Sequence, residues 1–268
     1  MRIDRSLLSA AGLYVGLSMF ASTASAQAFD AVRLYGAARD MDGGTVGLAA
    51  IAARRYQGAD ERRYLVLPLL DYQWRNGWFA GTSNGIGFNF SNRPEISYGL
   101  RATADLGRKE DRSLALAGLG DINPRPEFGG FFNYGLGRNI VLTSSLRYGA
   151  GNDRQGLLLD LGGVYSISLA PQWRLGLGVA GTYANTEYMQ TYFGVDATQA
   201  RRSGYAPYTA DAGVRDVRAN VALSYQLNQK VTLTGALSAV SLQGDAKRSP
   251  VVRERNAINA IVGVSYAF

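Results

Sequence analysis

One stretch of sequence decides the fold class, namely Trp173-Arg174-Leu175-Gly176-Leu177-Gly178-Val179-Ala180-Gly181-Thr182-Tyr183. Odd-numbered positions from Leu175 to Val179 carry large apolar side chains, whereas the even-numbered positions between them carry Gly or Ala, and an aromatic residue stands at each end. A period of two places these sets on opposite faces of a strand. Ten steps of roughly 3.3 Å, tilted by about 40°, project to roughly 25 Å, the height of the apolar band of a transmembrane β-barrel. We therefore predict that this segment crosses a membrane as a strand.

The same alternation recurs along the chain and predicts an all-β fold, a transmembrane antiparallel up-and-down β-barrel of about twelve strands. A soluble sandwich also alternates, but its strands are typically five or six residues long, and the segments here are longer. The predicted strands are 31–38, 44–56, 62–75, 78–90, 95–107, 126–137, 139–150, 156–169, 172–184, 213–226, 229–242 and 257–268.

The lengths of the connections predict the orientation of the barrel. The long connections 108–125, 185–212 and 243–256 fall at one end of this strand list, and we expect that end to face the cell exterior. The connections predicted for the periplasmic end are all short, and they lie at about 57–61, 91–94, 137–138, 170–171 and 228.

The N-terminus has the features of a secretory signal peptide. Two Arg precede an apolar run from Leu7 to Phe20, and Ala24-Ser25-Ala26 forms a small-residue cleavage site. A membrane anchor is the alternative, but a run of about 14 residues is too short to span a bilayer as a helix. We predict a signal peptide at 1–26, a barrel at 27–268, and export to the outer membrane.

The last strand resembles the signal that the barrel-insertion machinery reads. It ends in Phe268, with Tyr266 two residues earlier and Gly263 on the opposite face. We expect these three residues to act in barrel assembly.

Composition limits the chemistry that the chain can perform. It contains no His and no Cys. His is the usual general base near neutral pH, and His and Cys are common metal ligands, so no catalytic, metal or cofactor site is predicted. The formal net charge is +7, but the Arg residues are scattered, so we expect no nucleic-acid partner. Contact with lipopolysaccharide phosphates and simple solubility of the loops both fit this charge.

Several charged residues fall on the predicted inner face of the barrel. An Arg and Asp network that neutralises buried charge is the ordinary explanation, and a solute-binding role is the alternative. The residues predicted to face the lumen are Arg101, Asp105, Arg147, Asp160, Arg174 and Arg218.

The connections carry a set of motifs that resembles the MipA/OmpV family, also called MltA-interacting proteins, over about residues 43 to 268. The most specific part runs from Tyr192 to Tyr208. The motifs, in order, are Leu116-Ala117-Gly118-Leu119-Gly120-Asp121-Ile122, Pro126-Glu127-Phe128-Gly129, Tyr188, Tyr192-Phe193-Gly194-Val195, Gln199-Ala200, Ser203-Gly204, Tyr208, Leu242-Gln243-Gly244-Asp245-Ala246 and Ser249-Pro250.

The resemblance implies a role without catalysis. It points to a scaffold that joins a murein lytic transglycosylase to a penicillin-binding protein, while other family members are described as adhesins, surface antigens or porin-like channels. One departure occurs at 54–58, where Arg54 replaces the Pro that begins a family turn. We expect that turn on the periplasmic side, where its altered shape would affect partner contacts. Scaffold, small-solute channel and surface adhesin therefore remain as three hypotheses.

Overall fold

The computed structural model describes residues 42–268 as a closed barrel of twelve strands. Each strand pairs antiparallel with its neighbours in sequence, and β12 pairs with β1 to close the wall. The strands are β1 Gly43–Arg54, β2 Arg62–Gln73, β3 Trp78–Gly81, β4 Gly85–Asn89, β5 Ile96–Asp105, β6 Arg125–Leu136, β7 Ile140–Ala150, β8 Gly156–Ala170, β9 Trp173–Ala184, β10 Gly213–Gln226, β11 Val231–Leu242 and β12 Asn256–Ala267. The predicted fold class and strand number are confirmed.

Short helices occur only in the connections of the described chain. They are α1 Thr186–Phe193, α2 Ala197–Ser203 and α3 Gly244–Arg248, with 3-10 turns at Glu110–Arg112 and Leu114–Leu116. None of the helices within residues 42–268 has the length and the apolar composition that a membrane span requires.

The strand alternation produces an apolar outer surface. Val66, Leu100, Val179 and Val262 point outward and are each more than 60% exposed. Such a belt is stable only against lipid, because the exposure of this much apolar surface to water is unfavourable. Exposed aromatic side chains border the belt at both ends, as at the interfaces of other transmembrane barrels, and they include Tyr64, Phe128, Tyr148, Tyr183, Trp78, Trp173, Tyr266 and Phe268.

Two of the predicted strands need comment. The predicted strand 31–38 lies outside the described residues. The predicted strand 78–90 is wrong, because it is a hairpin of two short strands, β3 and β4. Gly85 follows Asn84 with a φ of +75°, a conformation that favours glycine and allows the chain to reverse.

Because the hairpin supplies two strands where one was predicted, the connections that precede it lie at the opposite end of the barrel from the predicted one. We call the end with the long connections the loop end, and it holds 55–61, 106–124, 151–155, 185–212 and 243–255. The opposite end, the turn end, holds 74–77, 90–95, 137–139, 171–172 and 227–230. The predicted clustering of the three longest connections at one end is confirmed, but the prediction that 57–61 lies with the short turns is wrong.

The segment 54–58 belongs to the loop end as well. Tyr56 is 1% exposed, and its hydroxyl donates a hydrogen bond to the Val251 carbonyl oxygen at 3.0 Å. The turn therefore lies with the long connections, and the expectation that it lies among the short turns is wrong, because β1 begins at Gly43 at the turn end and runs toward the loop end.

Candidate functional site

Asp160 lies at the centre of a charged network inside the barrel. Arg147 Nη2 lies 2.9 Å from Asp160 Oδ2, and Arg218 Nη2 lies 3.1 Å from Asp160 Oδ1. The Thr182 hydroxyl also donates to Asp160 Oδ1 at 2.6 Å. Strand register explains the arrangement, because Asp160 pairs directly with Thr182 on β9. The network extends to Glu127, whose Oε2 lies 3.2 Å from Arg147 Nη1.

A β-bulge adds a second ion pair to this network. The register of β10 against β9 shifts between Val214 and Asp216, so that the consecutive residues Arg215 and Asp216 are both buried. A bulge re-aims side chains in this way. Arg215 Nε lies 2.6 Å from Asp216 Oδ2, and Asp216 Oδ1 lies 3.6 Å from Arg218 Nη1.

Three of the predicted lumen residues, Arg147, Asp160 and Arg218, meet directly. Arg101 lies nearby on β5, where it donates to the Ser145 hydroxyl at 2.6 Å. Arg174 occupies the same inner face of β9 but stands exposed at the turn end, in register with Ser168 and Ser224. The structure does not bring it to the others.

Asp105 contacts the connection 185–212 rather than the other charged residues of the lumen. It ends β5 at the loop end, and its two carboxylate oxygens lie 2.5 and 2.7 Å from the Tyr192 hydroxyl. Asp105 also accepts the backbone N–H groups of Gly107 at 3.1 Å and Gly151 at 2.9 Å. These three donors satisfy a carboxylate that is only 5% exposed.

Helix α1 is the central part of the lid, which we define as residues 185–212. The Asn185 side chain caps the helix by accepting from the Tyr188 N–H at 3.1 Å. One face of α1 is buried, and its residues are Tyr188, Met189, Tyr192 and Phe193. They pack with inner residues at the loop ends of the strands and with α3, in a cluster that also holds Ile122, Ala150, Leu158, Ala184, Ala210, Leu242 and Ala246.

Two arginines hold the lid, Arg215 of the wall strand β10 and Arg108 of the connection 106–124. Arg215 donates to the Tyr188 hydroxyl at 2.9 Å, and its guanidinium carbon lies 5.3 Å from the centre of the Tyr188 ring. Arg108 donates to the Tyr192 carbonyl oxygen at 2.6 Å. The rings of Tyr188 and Tyr192 are stacked, with centroids 4.5 Å apart. The lid is therefore held by buried polar contacts as well as by apolar packing.

A second apolar cluster joins the outer parts of the connections. It contains Tyr56, Ala59, Ala115, Leu116, Leu119, Val195 and Val251. Gln199 of α2 donates to the Leu119 carbonyl oxygen at 2.8 Å, and the Tyr205 hydroxyl donates to that of Ala115 at 3.0 Å. Four connections thus form one packed cap over the barrel, rather than independent surface loops.

Burial raises the pKa of the cap tyrosines. The pKa of Tyr188 is raised to about 12, and desolvation outweighs the opposing effect of Arg215. Desolvation and the neighbouring Asp105 raise the pKa of Tyr192 well above its usual value. Both phenols are therefore neutral near pH 7, so the Tyr192 O–H is available to donate to Asp105.

The described residues offer no catalytic cluster that we recognise. Within 42–268, no group of three or more His, Cys, Asp or Glu is placed to hold a metal ion. The lumen carboxylates face arginine and hydroxyl donors. This arrangement balances charge and fixes the wall and lid relative to each other.

Comparison with known families identifies the chain. Residues 46–268 match the family described as MltA-interacting protein MipA. The chain belongs to the MipA family. A search of curated proteins found no match. The family and the lipid-facing belt together make this chain an outer-membrane β-barrel.

Several solved barrels resemble this MipA-family chain in fold. The NanC porin has a TM-score of 0.46 at 10% identity and covers 82% of this chain and 98% of its own. An outer membrane channel from Pseudomonas putida F1 has a TM-score of 0.47 at 10% identity, with coverage of 88% and 98%. The translocator domain of the autotransporter NalP from Neisseria meningitidis has a TM-score of 0.46 at 12% identity, with coverage of 91% and 94%.

The predicted assembly residues of this MipA-family chain lie on the closing strand β12 or directly after it. Tyr266 and Phe268 point outward and are 42% and 62% exposed, whereas Gly263 faces inward beside Ala49. Phe268 exchanges two backbone hydrogen bonds with Gly44, at 3.0 and 3.1 Å. The end of the chain is thus paired with β1, and its role in assembly remains a prediction.

Two parts of the network were missed from the sequence. Glu127 lies on the inner face of β6 with Gly129, so the alternation of this strand is sufficient to place Glu127 in the lumen. Arg215 and Asp216 depend on the bulge in β10, for which the sequence carries no signal that we recognise.

Proposed function

We propose that this chain is a non-enzymatic outer-membrane scaffold whose turn end holds murein enzymes, namely a lytic transglycosylase and a penicillin-binding protein. The family description names an interaction with MltA, and the transfer of that interaction to this chain is part of the proposal. The absence of His and Cys from the whole sequence supports a role without catalysis.

One observation carries the proposal, a ring of exposed basic side chains around the turn end. We call it the basic ring, and its members are Arg75, Arg93, Arg138, Arg174 and Lys230. The exposed acidic side chains at this end, among the described residues, are Asp42 and Glu95. Such a surface attracts an acidic partner surface and steers its approach. The basic ring can therefore bind an acidic protein surface even though each turn is short.

The packed cap favours the scaffold over an open channel. Tyr188, Met189 and Phe193 of the lid are each at most 2% exposed, so the lid fills the loop end of the lumen. A solute would have to displace this packed cluster to pass. Closure at the loop end leaves the turn end as the surface available to periplasmic proteins.

Crosslinking in intact cells tests the proposal directly. A variant that carries Arg93→Glu and Arg138→Glu reverses two charges of the basic ring. The matched control carries Arg201→Glu and Arg202→Glu, two exposed residues of α2 in the cap. We expect murein enzymes to crosslink to the parent chain and to the control, and to be lost from the ring variant. Recovery of no murein enzyme with any of the three chains would refute the scaffold, and equal recovery from all three would refute the basic ring as its binding surface.

A channel is the second candidate, and the charged lumen favours it. Arg147, Arg218 and Asp160 line the interior, as charged groups line the pores of diffusion channels. Conductance across a planar bilayer separates the two functions. The scaffold proposal expects no steady current from the parent chain, whereas a channel gives steady current that rises further when the lid is weakened.

A further inference from the structure

Two charged side chains lie on the lipid-facing side of the barrel wall, at its loop end. Arg54 ends β1 and Arg62 begins β2, and the alternation of both strands places them on the same side as the exposed apolar residues. Every other charged side chain in the described strands faces the lumen or is buried at the bulge of β10. Charges on the lipid side of a barrel are tolerated only near the membrane surface, so this pair is an exception to the pattern of the wall.

The two arginines are also direct partners in the strand register. Cβ atoms of directly opposite residues lie about 4.5–5.5 Å apart, and like charges at that spacing destabilise a sheet. The exposed Arg62 side chain makes no ion pair with any described residue. Arg54 donates to the backbone carbonyl oxygens of Asp60 and Asn256, which do not neutralise its charge. An anion between the two guanidinium groups would replace this repulsion by attraction.

The acidic residues of the adjoining turn do not supply that anion in full. Glu61 is held by Arg55, whose Nε lies 3.1 Å from Glu61 Oε2. Asp60 is exposed in the same turn. At most one free carboxylate therefore offsets the two guanidinium groups, and the pair stays positively charged.

The height of the pair matches that of a lipid head group. Tyr64 follows Arg62 on the outward face of β2, is 78% exposed, and belongs to the aromatic border of the lipid belt. Arg62 lies two residues beyond it, roughly 7 Å along the strand. Aromatic borders mark the membrane–water interface, so the guanidinium groups lie at the level of the head-group phosphates. Arginine binds phosphate through paired, charge-assisted hydrogen bonds.

Below the pair, toward the membrane centre, the wall carries small outward side chains. Ala52 lies between Tyr64 of β2 and Ala260 of β12 in the register, and Ala50 is paired with Val66. Tyr64 and Val66 are 78% and 68% exposed and project beyond the alanines. The three alanines form a shallow depression, which we call the alanine trough. It leads from the arginine pair into the lipid belt and has the shape to hold an acyl chain.

We propose that Arg54 and Arg62 bind the phosphate of a phosphorylated glycolipid in the outer leaflet, and that an acyl chain of this lipid lies in the alanine trough. The loop end faces the cell exterior in this account, and the lipid A anchor of lipopolysaccharide carries both phosphates and acyl chains. The site lies at the opposite end of the wall from the basic ring, so it does not depend on the scaffold.

Lipid retention, measured by native mass spectrometry of the full chain from mixed micelles, tests the site. The probe is lipid A, and the comparison lipid is lipid A from which both phosphates have been removed. The chain should retain lipid A at least tenfold more, because charge-assisted hydrogen bonds to phosphate are worth about that factor in affinity. Equal retention of the two lipids overturns the proposal. Equal retention of phosphatidylglycerol would assign the pair to any anionic lipid, and displacement by inorganic phosphate would assign it to a free anion, so either result also overturns it.

Matched charge variants locate the phosphate. The chain with Arg54→Gln and Arg62→Gln should lose the preference for lipid A over the comparison lipid. The control with Arg201→Gln and Arg202→Gln removes the same charge from the exposed helix α2 and should keep it. Lipid A should also raise the urea midpoint of the parent and the control, but not that of the pair variant. An unchanged preference in the pair variant overturns the site.

A second pair of variants locates the acyl chain. Ala52→Phe fills the alanine trough and should lower the retention of lipid A severalfold. Ala219→Phe makes the same change at a lipid-facing position of β10 and should leave retention unchanged. Equal retention by the two variants overturns the placement of the acyl chain in the trough.

Discussion

The hydroxyl of Tyr192 lies 2.5 and 2.7 Å from the carboxylate oxygens of Asp105, although the two residues are 87 positions apart in the sequence. The contact joins the buried face of α1 to the end of β5. It connects the cap to the barrel wall at a point where both partners are almost inaccessible to water. The closure of the loop end depends on this pair and on the arginines around it.

Tyr192→Phe should loosen the lid without disturbing the barrel. The carboxylate of Asp105 would lose one of its donors, which weakens closure by about 2 kcal/mol. Trypsin cleavage after Arg201 or Arg202 in the lid should accelerate at least tenfold, while the strand content measured by circular dichroism stays unchanged. Tyr98→Phe, which removes a hydroxyl from a lipid-facing ring, is the control. Equal cleavage rates in both variants would show that this contact does not hold the lid.

Alkaline pH should open the lid through its tyrosines. Burial raises the folded-state pKa of Tyr188 to about 12 from an ordinary 10.0, and raises that of Tyr192 as well. A raised pKa means that the neutral phenol stabilises the closed cap fully below pH 10, and that this stability is lost as the pH rises through about 12. Tyrosinate absorbance should show a late-titrating group that coincides with trypsin sensitivity of the lid. A single titration of all tyrosines near pH 10 would contradict this.

The register of β9 gives a prediction for membrane stability. Leu177 points outward with 44% of its surface exposed, whereas Gly178 points inward and has room for a side chain, since an added Cβ would meet its nearest atom at 3.6 Å. Leu177→Arg should destabilise the barrel by about 2–4 kcal/mol, because it places a charge in the lipid belt. Gly178→Ser should cost far less. Folding titrations in vesicles measure both, and similar losses would mean that the assigned faces are wrong.

Deletion of Phe268 should impair assembly. The residue makes two backbone hydrogen bonds with Gly44 at the closing pair of strands, and its ring extends the outward face of β12. The amount of heat-modifiable, membrane-inserted protein should fall. Phe268→Tyr keeps both the ring and the backbone pairing and should insert normally. Normal insertion of the deletion variant would remove Phe268 from the assembly signal.

The sequence alone predicts the strands well because lipid on one side and lumen on the other impose a strict period of two. It fails at 78–90 because the alternation continues across the hairpin between β3 and β4. Asn84-Gly85 is a familiar hairpin signal and marks the turn. That one error displaced 57–61 to the wrong end, since each strand reverses the direction of the chain.

The site was predicted less completely than the wall. Alternation alone places Arg147, Asp160 and Arg218 in the lumen, and they meet there. Alternation does not distinguish these three residues from Arg174, because residues on the same face of the wall can lie at different heights along the barrel axis. The contacts of the cap link residues far apart in sequence, such as Arg108 and Tyr192, and local patterns do not encode such pairs.

The central claim is an outer-membrane barrel with a sealed cap outside and a basic ring inside, and accessibility in living cells tests it most directly. The chain has no Cys, so single-Cys variants label cleanly. Thr198 and Lys247 are exposed in the cap, and Gln229 is exposed beside the basic ring. A membrane-impermeant maleimide on whole cells should label Thr198→Cys and Lys247→Cys, and should reach Gln229→Cys only after the outer membrane is broken. Labelling of Gln229→Cys on whole cells, with the other two protected, would place the basic ring outside and contradict the account.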